Sequence, residues 1–230
     1  MAQLVLTGDG SHTLFIPELN EHYHSTYGAL TESLHVFIRS GLDCFGGSRE
    51  ISIFETGFGT GLNALLTALS ALRMGVKVWY FTLEKYPVDP QIVKQLNYPC
   101  LLKDTENDAE RLFSAIHEAD WEKMTEIHPF FYLKKMKGDM CGFMPNNRFD
   151  LVYFDAFAPD KQPEMWTGEI MHRLVSAMKP GGIFTTYCVK GSVKRILKDC
   201  GLAVKKLPGP PGKREILRGT KDKQEINLKT

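Results

Sequence analysis

Asp155 closes the apolar run Phe149-Asp-Leu-Val-Tyr-Phe-Asp155 and is followed at once by Ala-Phe-Ala-Pro-Asp-Lys-Gln-Pro-Glu-Met-Trp166. Three more acids stand in the same relation to apolar runs. Glu55 follows Ile51-Ser-Ile-Phe54, Glu84 ends Lys77-Val-Trp-Tyr-Phe-Thr-Leu-Glu84, and Asp139 follows Phe131-Tyr-Leu-Lys-Lys-Met-Lys-Gly138. Ligands of open α/β sheets collect at the carboxyl ends of strands, so these acids converge on one crevice. Between Glu55 and Leu62 runs Thr-Gly57-Phe-Gly59-Thr-Gly61, a glycine turn from strand to helix that exposes backbone N–H groups and the positive end of the helix. The dinucleotide-binding pattern fails, because Leu62 stands where its third small residue belongs and a carboxylate at Glu55 opposes a pyrophosphate. The acids suit a cationic nucleoside instead. S-adenosylmethionine carries an ammonium for Glu55, two ribose hydroxyls for Glu84 and an adenine amino group for Asp139. Asp155 then faces the transferable methyl. A turn-forming Asp before a Pro-rich loop is the plainer alternative for Asp155. Pro159 and Pro163 stiffen that loop, and Phe157 and Trp166 offer aromatic faces to a planar base, although core packing accounts for Trp166 equally well.

The elements that must hold these residues alternate in type. Residues 4–16 read as a hairpin around Gly-Asp-Gly-Ser, and residues 29–42 as a helix capped by Thr31 and ended at Gly41. Strand, glycine turn, the apolar helix 62–75 and the strand 77–84 make a βαβ unit. Helical segments are expected at 89–97 and 107–119, strands at 131–139 and 149–155, a helix from Glu164 to Pro180-Gly-Gly182, a strand at 183–188 and a helix at 191–201. Two last strands flank the loop Pro208-Gly-Pro-Pro-Gly212. The expected architecture is α/β, Rossmann-like, with a mostly parallel sheet and a C-terminal antiparallel hairpin over residues 41–230, and a small hairpin-and-helix appendage over residues 1–40.

With 230 residues, 43% of them hydrophobic, the chain can bury a full core. It has neither a basic, apolar leader nor a run approaching the roughly 18 apolar residues of a membrane span, so a cytoplasmic location is expected and no membrane partner. Five scattered cysteines without a C-x-x-C pair argue against disulfides and against a zinc site, and no metal is expected. The net charge of +1 hides an asymmetry: from Lys190 to Thr230 there are 12 Lys/Arg against 4 Asp/Glu, so the remainder is acidic. A polyanion meeting the C-terminal part, at Lys190, Lys194, Arg195, Lys198, Lys213 and Arg214, is one reading, and a solvated tail is the other.

These motifs resemble the methyltransferase domain of the bifunctional tRNA 5-methylaminomethyl-2-thiouridine biosynthesis enzyme. Glu55-Thr-Gly-Phe-Gly-Thr-Gly-Leu-Asn63 is similar to that family's glycine loop, Leu83-Glu-Lys-Tyr-Pro87 to its ribose-binding strand end, and Phe154-Asp-Ala-Phe-Ala-Pro-Asp-Lys-Gln-Pro-Glu-Met-Trp166 to its most distinctive block. Gly212-Lys-Arg-Glu-Ile-Leu217 resembles a C-terminal segment, and residues 23–37 match more loosely, with Tyr23 and Glu32 in place. The resemblance implies the class I S-adenosylmethionine-dependent methyltransferase fold and adds Thr60 and Lys85 to the cofactor site. It further implies N-methylation of a 5-aminomethyl group on the wobble uridine of tRNA, with the anticodon loop as partner and Asp155 aiming the amine. The flavin-dependent oxidase half of such enzymes finds no counterpart in these residues, so a separate enzyme is expected to supply the aminomethyl group. Two other classes share features of the sequence. An N-methyltransferase for a small-molecule or protein amine needs no basic C-terminal surface, and a non-catalytic RNA-binding module tolerates a damaged glycine loop.

Overall fold

The computed structural model describes residues 2–102, 106–146 and 148–223. At the N-terminus, β1 (Gln3–Leu6), β2 (His12–Ile16) and the short β3 (Glu21–His22) form a three-stranded antiparallel sheet. The expected hairpin thus gains a third strand. Helix α1 (Ala29–Ser33) continues into wide π-type turns over Leu34–Arg39 and a 3-10 turn at Leu42–Phe45. Thr31 does not cap it, because the helix begins two residues earlier and is capped from the hairpin. Ser11 Oγ accepts from the N–H groups of Ala29 and Leu30 at 3.1 and 3.2 Å, and Asp9 Oδ2 accepts from that of Thr31 at 2.9 Å.

The main sheet carries β4 (Glu50–Thr56), β5 (Lys77–Glu84), β6 (Met124–His128), β7 (Phe131–Lys137), β8 (Phe149–Phe154), β9 (Met178–Thr186), β10 (Leu202–Pro208) and β11 (Glu215–Lys221). Their order is β10-β11-β9-β8-β4-β5-β7-β6. The five central strands pair in parallel, β11 runs antiparallel to both β9 and β10, and β6 is antiparallel to β7 at the far edge. A mostly parallel sheet ending in a C-terminal antiparallel hairpin is therefore observed. The edge strand β6 was not foreseen, its sequence Met-Thr-Glu-Ile-His being half polar.

Helix α2 (Leu62–Met74) follows the glycine turn and stops at Gly75, whose φ of 64° is the left-handed stop that glycine adopts without strain. The short helices α3 (Pro90–Val93) and α4 (Tyr98–Leu101) and the longer α5 (Glu106–Glu118) lead toward the far edge. After a 3-10 turn at Pro163–Trp166, α6 (Gly168–Ser176) starts under a Thr167 cap. The expected helix to Gly182 is corrected here: Met178-Lys-Pro-Gly-Gly182 already belongs to β9, where Pro180 forgoes a donor near the strand start. Helix α7 (Gly191–Asp199) connects to β10. Apolar residues of α2, α5 and the N-terminal segment, Leu14, Val36 and Phe37 among them, share one core on one face of the sheet, and α6 and α7 pack on the other.

Candidate active site

A cleft opens at the carboxyl ends of β4, β5, β7 and β8. Its floor is the glycine loop. Gly57, Gly59 and Gly61 have φ of 83°, 52° and 74°, a left-handed run closed to other residues without strain. A side chain at Gly61 would strike His117 at 2.7 Å, whereas one at Gly57 would meet nothing nearer than 3.9 Å and would fill the cleft instead. The loop is held from below. Thr60 O accepts from His117 Nε2 at 3.2 Å and Thr60 Oγ1 from the Tyr98 hydroxyl at 3.1 Å. Burial and the Lys135 charge lower the His117 pKa to about 4, so the ring stays neutral with Nε2 as donor. The Thr60 hydroxyl accepts from Tyr98 and keeps its own proton to donate, while its carbonyl is held by His117.

Glu84, at the end of β5, lines the cleft with its carboxylate already oriented: Oε2 accepts from Gly59 N at 3.0 Å and Oε1 from Tyr86 N at 2.7 Å. A carboxylate has about four acceptor directions, so capacity remains for a diol. Lys85 and Asp139 pair across the mouth at 2.7 Å. That pairing, with the Cys141 N–H, holds the Asp139 pKa at about 2.

Asp155 stands opposite the glycine loop, and Asn63 Nδ2, from the first turn of α2, donates to its Oδ2 at 2.9 Å. Burial first, and then the Glu32 charge, push the carboxyl up to about 7, while the Asn63 bond and the Lys213 charge pull it back. Phe157 continues the wall and meets Tyr23 edge to face at 5.2 Å.

Several expected site residues lie elsewhere. Glu55 does not reach the cleft. Side chains alternate along a strand, and the last residue of β4 is Thr56, so Glu55 points beneath the loop, 1% exposed, toward Asn63, Tyr80 and Thr82. Burial raises its pKa well above the usual carboxylate range, which favours the neutral acid. We expect Glu55→Gln, the isostere of that acid, to keep cofactor affinity within about twofold by calorimetry. A tenfold loss would return Glu55 to the role of an ionised partner for the cofactor's ammonium. Trp166 is 5% exposed and packs on Phe154 at 4.8 Å, its Nε1 donating to Phe157 O at 2.7 Å. It therefore braces the loop from the core and offers no face to a base. Pro159 lies in the loop outside the cleft lining. Lys213 is bound to Glu32 and lies over the Tyr187 ring at 4.0 Å from the centroid, so it is not a free surface cation. Arg214 is exposed and has no side-chain partner among the described residues.

The cleft also recruits residues that spacing did not reveal. Tyr23 and His24 reach it from the N-terminal segment, and Gln162, Glu164 and Met165 from the Pro-rich loop. Only the fold brings them in, and for His24 no sequence signal existed.

Residues 113–222 match the family described as S-adenosyl-L-methionine-dependent methyltransferase. The fold is that of an S-adenosylmethionine-dependent methyltransferase. Over 95% of its length the chain is 33% identical to the tRNA 5-methylaminomethyl-2-thiouridine biosynthesis bifunctional protein MnmC of Burkholderia thailandensis, and 32% identical to that of Burkholderia mallei. The chain spans 35% of the length of these relatives. Among solved structures, MNMC2 from Aquifex Aeolicus superimposes with a TM-score of 0.76 at 24% identity, covering 97% of this chain and 71% of that one. A spermidine synthase from Thermotoga Maritima shares the overall fold at a TM-score of 0.53 and 11% identity, covering 97% of this chain and 72% of that one. The cofactor of this methyltransferase fold is S-adenosylmethionine, and the open glycine cradle and the preoriented Glu84 carboxylate fit it. Among the described residues no helix is long and apolar enough to cross a membrane, and no group of His, Cys, Asp and Glu is placed to hold a metal ion.

Proposed function

We propose that the chain transfers a methyl group from S-adenosylmethionine to the nitrogen of a 5-aminomethyl group on the wobble uridine of tRNA. The observation that carries this reading is Asp155, a carboxylate oriented by Asn63 and aimed into the cleft opposite the glycine loop. The name of the MnmC relatives supports the substrate. Gly57, Gly59 and Gly61, Thr60, Glu84 and the Lys85–Asp139 pair would hold the cofactor. Asn63 sets Asp155, while Tyr23 and Phe157 wall the substrate side. S-adenosylmethionine, when bound, supplies an electrophilic methyl on a cationic sulfur.

A primary amine resembling that of lysine has a pKa of about 10.4 and is mostly protonated in water. Asp155 accepts a hydrogen bond from that nitrogen and turns its lone pair toward the methyl. With a pKa near 7 it can also take up the proton that the product amine sheds. Burial against the packed Tyr23–Phe157 pair excludes water, and most of the acceleration comes from positioning. Methyl transfer cleaves no carboxymethyl group, so the primary amine has to come from a separate reaction, in the cytoplasm where tRNA resides. Labelled cofactor should mark tRNA bearing 5-aminomethyl-2-thiouridine and spare the same tRNA with that amine acetylated. Equal labelling of both would move the reaction to another atom.

The tRNA surface we propose is the exposed basic stretch of α7 and the C-terminal hairpin. Lys190 there is paired with Asp160 at 2.6 Å and Lys206 with Glu215 at 2.6 Å, whereas Lys194, Arg195, Lys198 and Arg214 have no side-chain partner among the described residues. Glu225 and Lys229, counted in the charge asymmetry, lie outside the described residues. Each phosphate contact releases counterions, so Arg214→Ala should lower the logarithmic salt slope of tRNA binding by about one. An unchanged slope would assign docking to another face.

A further inference from the structure

Glu32 is a buried carboxylate that the chemistry above does not use. Its side chain is 9% exposed, and it joins two segments far apart in sequence. Oε1 receives the Lys213 ammonium from the hairpin loop, and Oε2 accepts from Ser25 N at 2.7 Å. Two residues before Ser25, Tyr23 packs on Phe157, and its ring lies 3.1 Å from where a Cβ on Gly59 would be. On the other side, Lys213 Nζ lies over the Tyr187 ring, and the Tyr187 hydroxyl donates to Ala156 O at 2.9 Å, one residue beyond Asp155. The same two segments meet twice more, through His35 Nε2 and Pro208 O at 2.7 Å and through the Tyr27 ring lying against Gly212.

We propose that the Glu32–Lys213 pair is a positioning latch of the methyl-transfer site, clamping the N-terminal segment and the C-terminal hairpin loop together over Asp155. This inference rests on the proposed site. A buried ion pair is weak evidence for stability, since desolvation offsets most of its attraction, and its better-attested use is to fix one arrangement among several. Here the arrangement fixed is the substrate wall: Tyr23 and Phe157 on one side, Tyr187 and the Asp155–Ala156 backbone on the other. The charges of the pair also oppose each other at Asp155, Glu32 raising its pKa and Lys213 lowering it. The remaining groups facing Asp155 are Asn63, which donates to it, the neutral acid Glu55 beneath it, and the hydroxyls of Tyr80 and Tyr187. His24, in the same cluster, is held neutral by burial, its pKa lowered to about 4.

The latch predicts effects of opposite sign. In Lys213→Met the Asp155 carboxyl should titrate at higher pH than in the wild type, and in Glu32→Gln at lower pH. The double variant should fall between them. Carbon-13 carboxyl NMR, with Asp155→Asn to assign the resonance, reads this without any substrate, so the result stands even if no tRNA is methylated. In single turnover with cofactor and aminomethyl tRNA, each single variant should lose tenfold or more in rate while cofactor affinity stays within about threefold, and Lys213→Arg should recover most of the rate. If Glu32→Gln fails to fold, Lys213→Met and Lys213→Arg decide the matter alone. Shifts of the same sign, or none, would overturn the latch and leave the pair a structural tie. So would a wild-type single-turnover rate in both Lys213→Met and Glu32→Gln.

Discussion

Asp155→Ala should lower the rate of methyl transfer by about a hundredfold or more, the range of a positioned proton acceptor, while cofactor affinity changes by no more than a few fold. The variant removes a carboxylate that a side-chain amide aims into the cleft, and Asn63 Nδ2 loses its acceptor. The pH dependence carries a second check. Because the Asp155 pKa is raised to about 7, its ionised fraction grows as pH rises from 5 to 8, and wild-type activity should climb with it. The cofactor's positive charge draws that midpoint down. Stability runs in the opposite sense. For an acid whose folded pKa lies above the unfolded value of about 3.9, the favourable contribution is present at low pH and is lost as pH rises through about 7. Thermal unfolding of Asp155→Asn should therefore gain on the wild type between pH 5 and pH 8. Near-normal turnover in Asp155→Ala, with no pH-dependent difference in stability, would remove Asp155 from the mechanism.

Glu84→Ala should instead abolish tight cofactor binding. The carboxylate anchors the glycine loop through Gly59 N and the following turn through Tyr86 N, and it is the acid placed for the ribose hydroxyls. Hydrogen bonds to a charged group contribute about 1.5–3 kcal/mol each, so losing two of them weakens binding by about a hundredfold or more. Calorimetry with S-adenosylmethionine measures this directly, and a dissociation constant within a few fold of the wild type would place the ribose elsewhere. The two substitutions thus separate along one cleft, Asp155 acting on the chemical step and Glu84 on cofactor binding.

The parts of this site visible in the sequence are those encoded locally. Gly57, Gly59 and Gly61 announce a left-handed turn by residue type, and the strand before them and the helix after them follow from apolar runs a few residues long. Glu84 and Asp155 sit at or just past the ends of such runs, where strand direction alone carries them to the cleft. Glu55 misleads because a shift of one residue along a strand reverses the face, and the run Ile51–Phe54 does not reveal that β4 continues to Thr56. Trp166 misleads differently. Its ring direction is set by the 3-10 turn at Pro163–Trp166 and by the Phe157 carbonyl it binds, neither readable from an aromatic after two prolines. Lys213 looks like a free surface cation in the sequence because its partner, Glu32, is 181 positions away and reaches it only through the fold. His24 had no signal at all, since a lone histidine before a Ser-Thr pair is unremarkable until the chain brings it to the cleft.

The most direct test of the account is the nucleoside composition of tRNA after incubation with the chain and S-adenosylmethionine. Transfer RNA carrying 5-aminomethyl-2-thiouridine at the wobble position would be digested and its nucleosides weighed by mass spectrometry, with Asp155→Ala in parallel. This nucleoside should be replaced by one heavier by a single CH2 unit carried on the exocyclic nitrogen, in the wild-type reaction and to a far smaller extent in the variant. An unaltered aminomethyl nucleoside in the presence of bound cofactor, or a methyl group found on the base ring or the ribose, would contradict it.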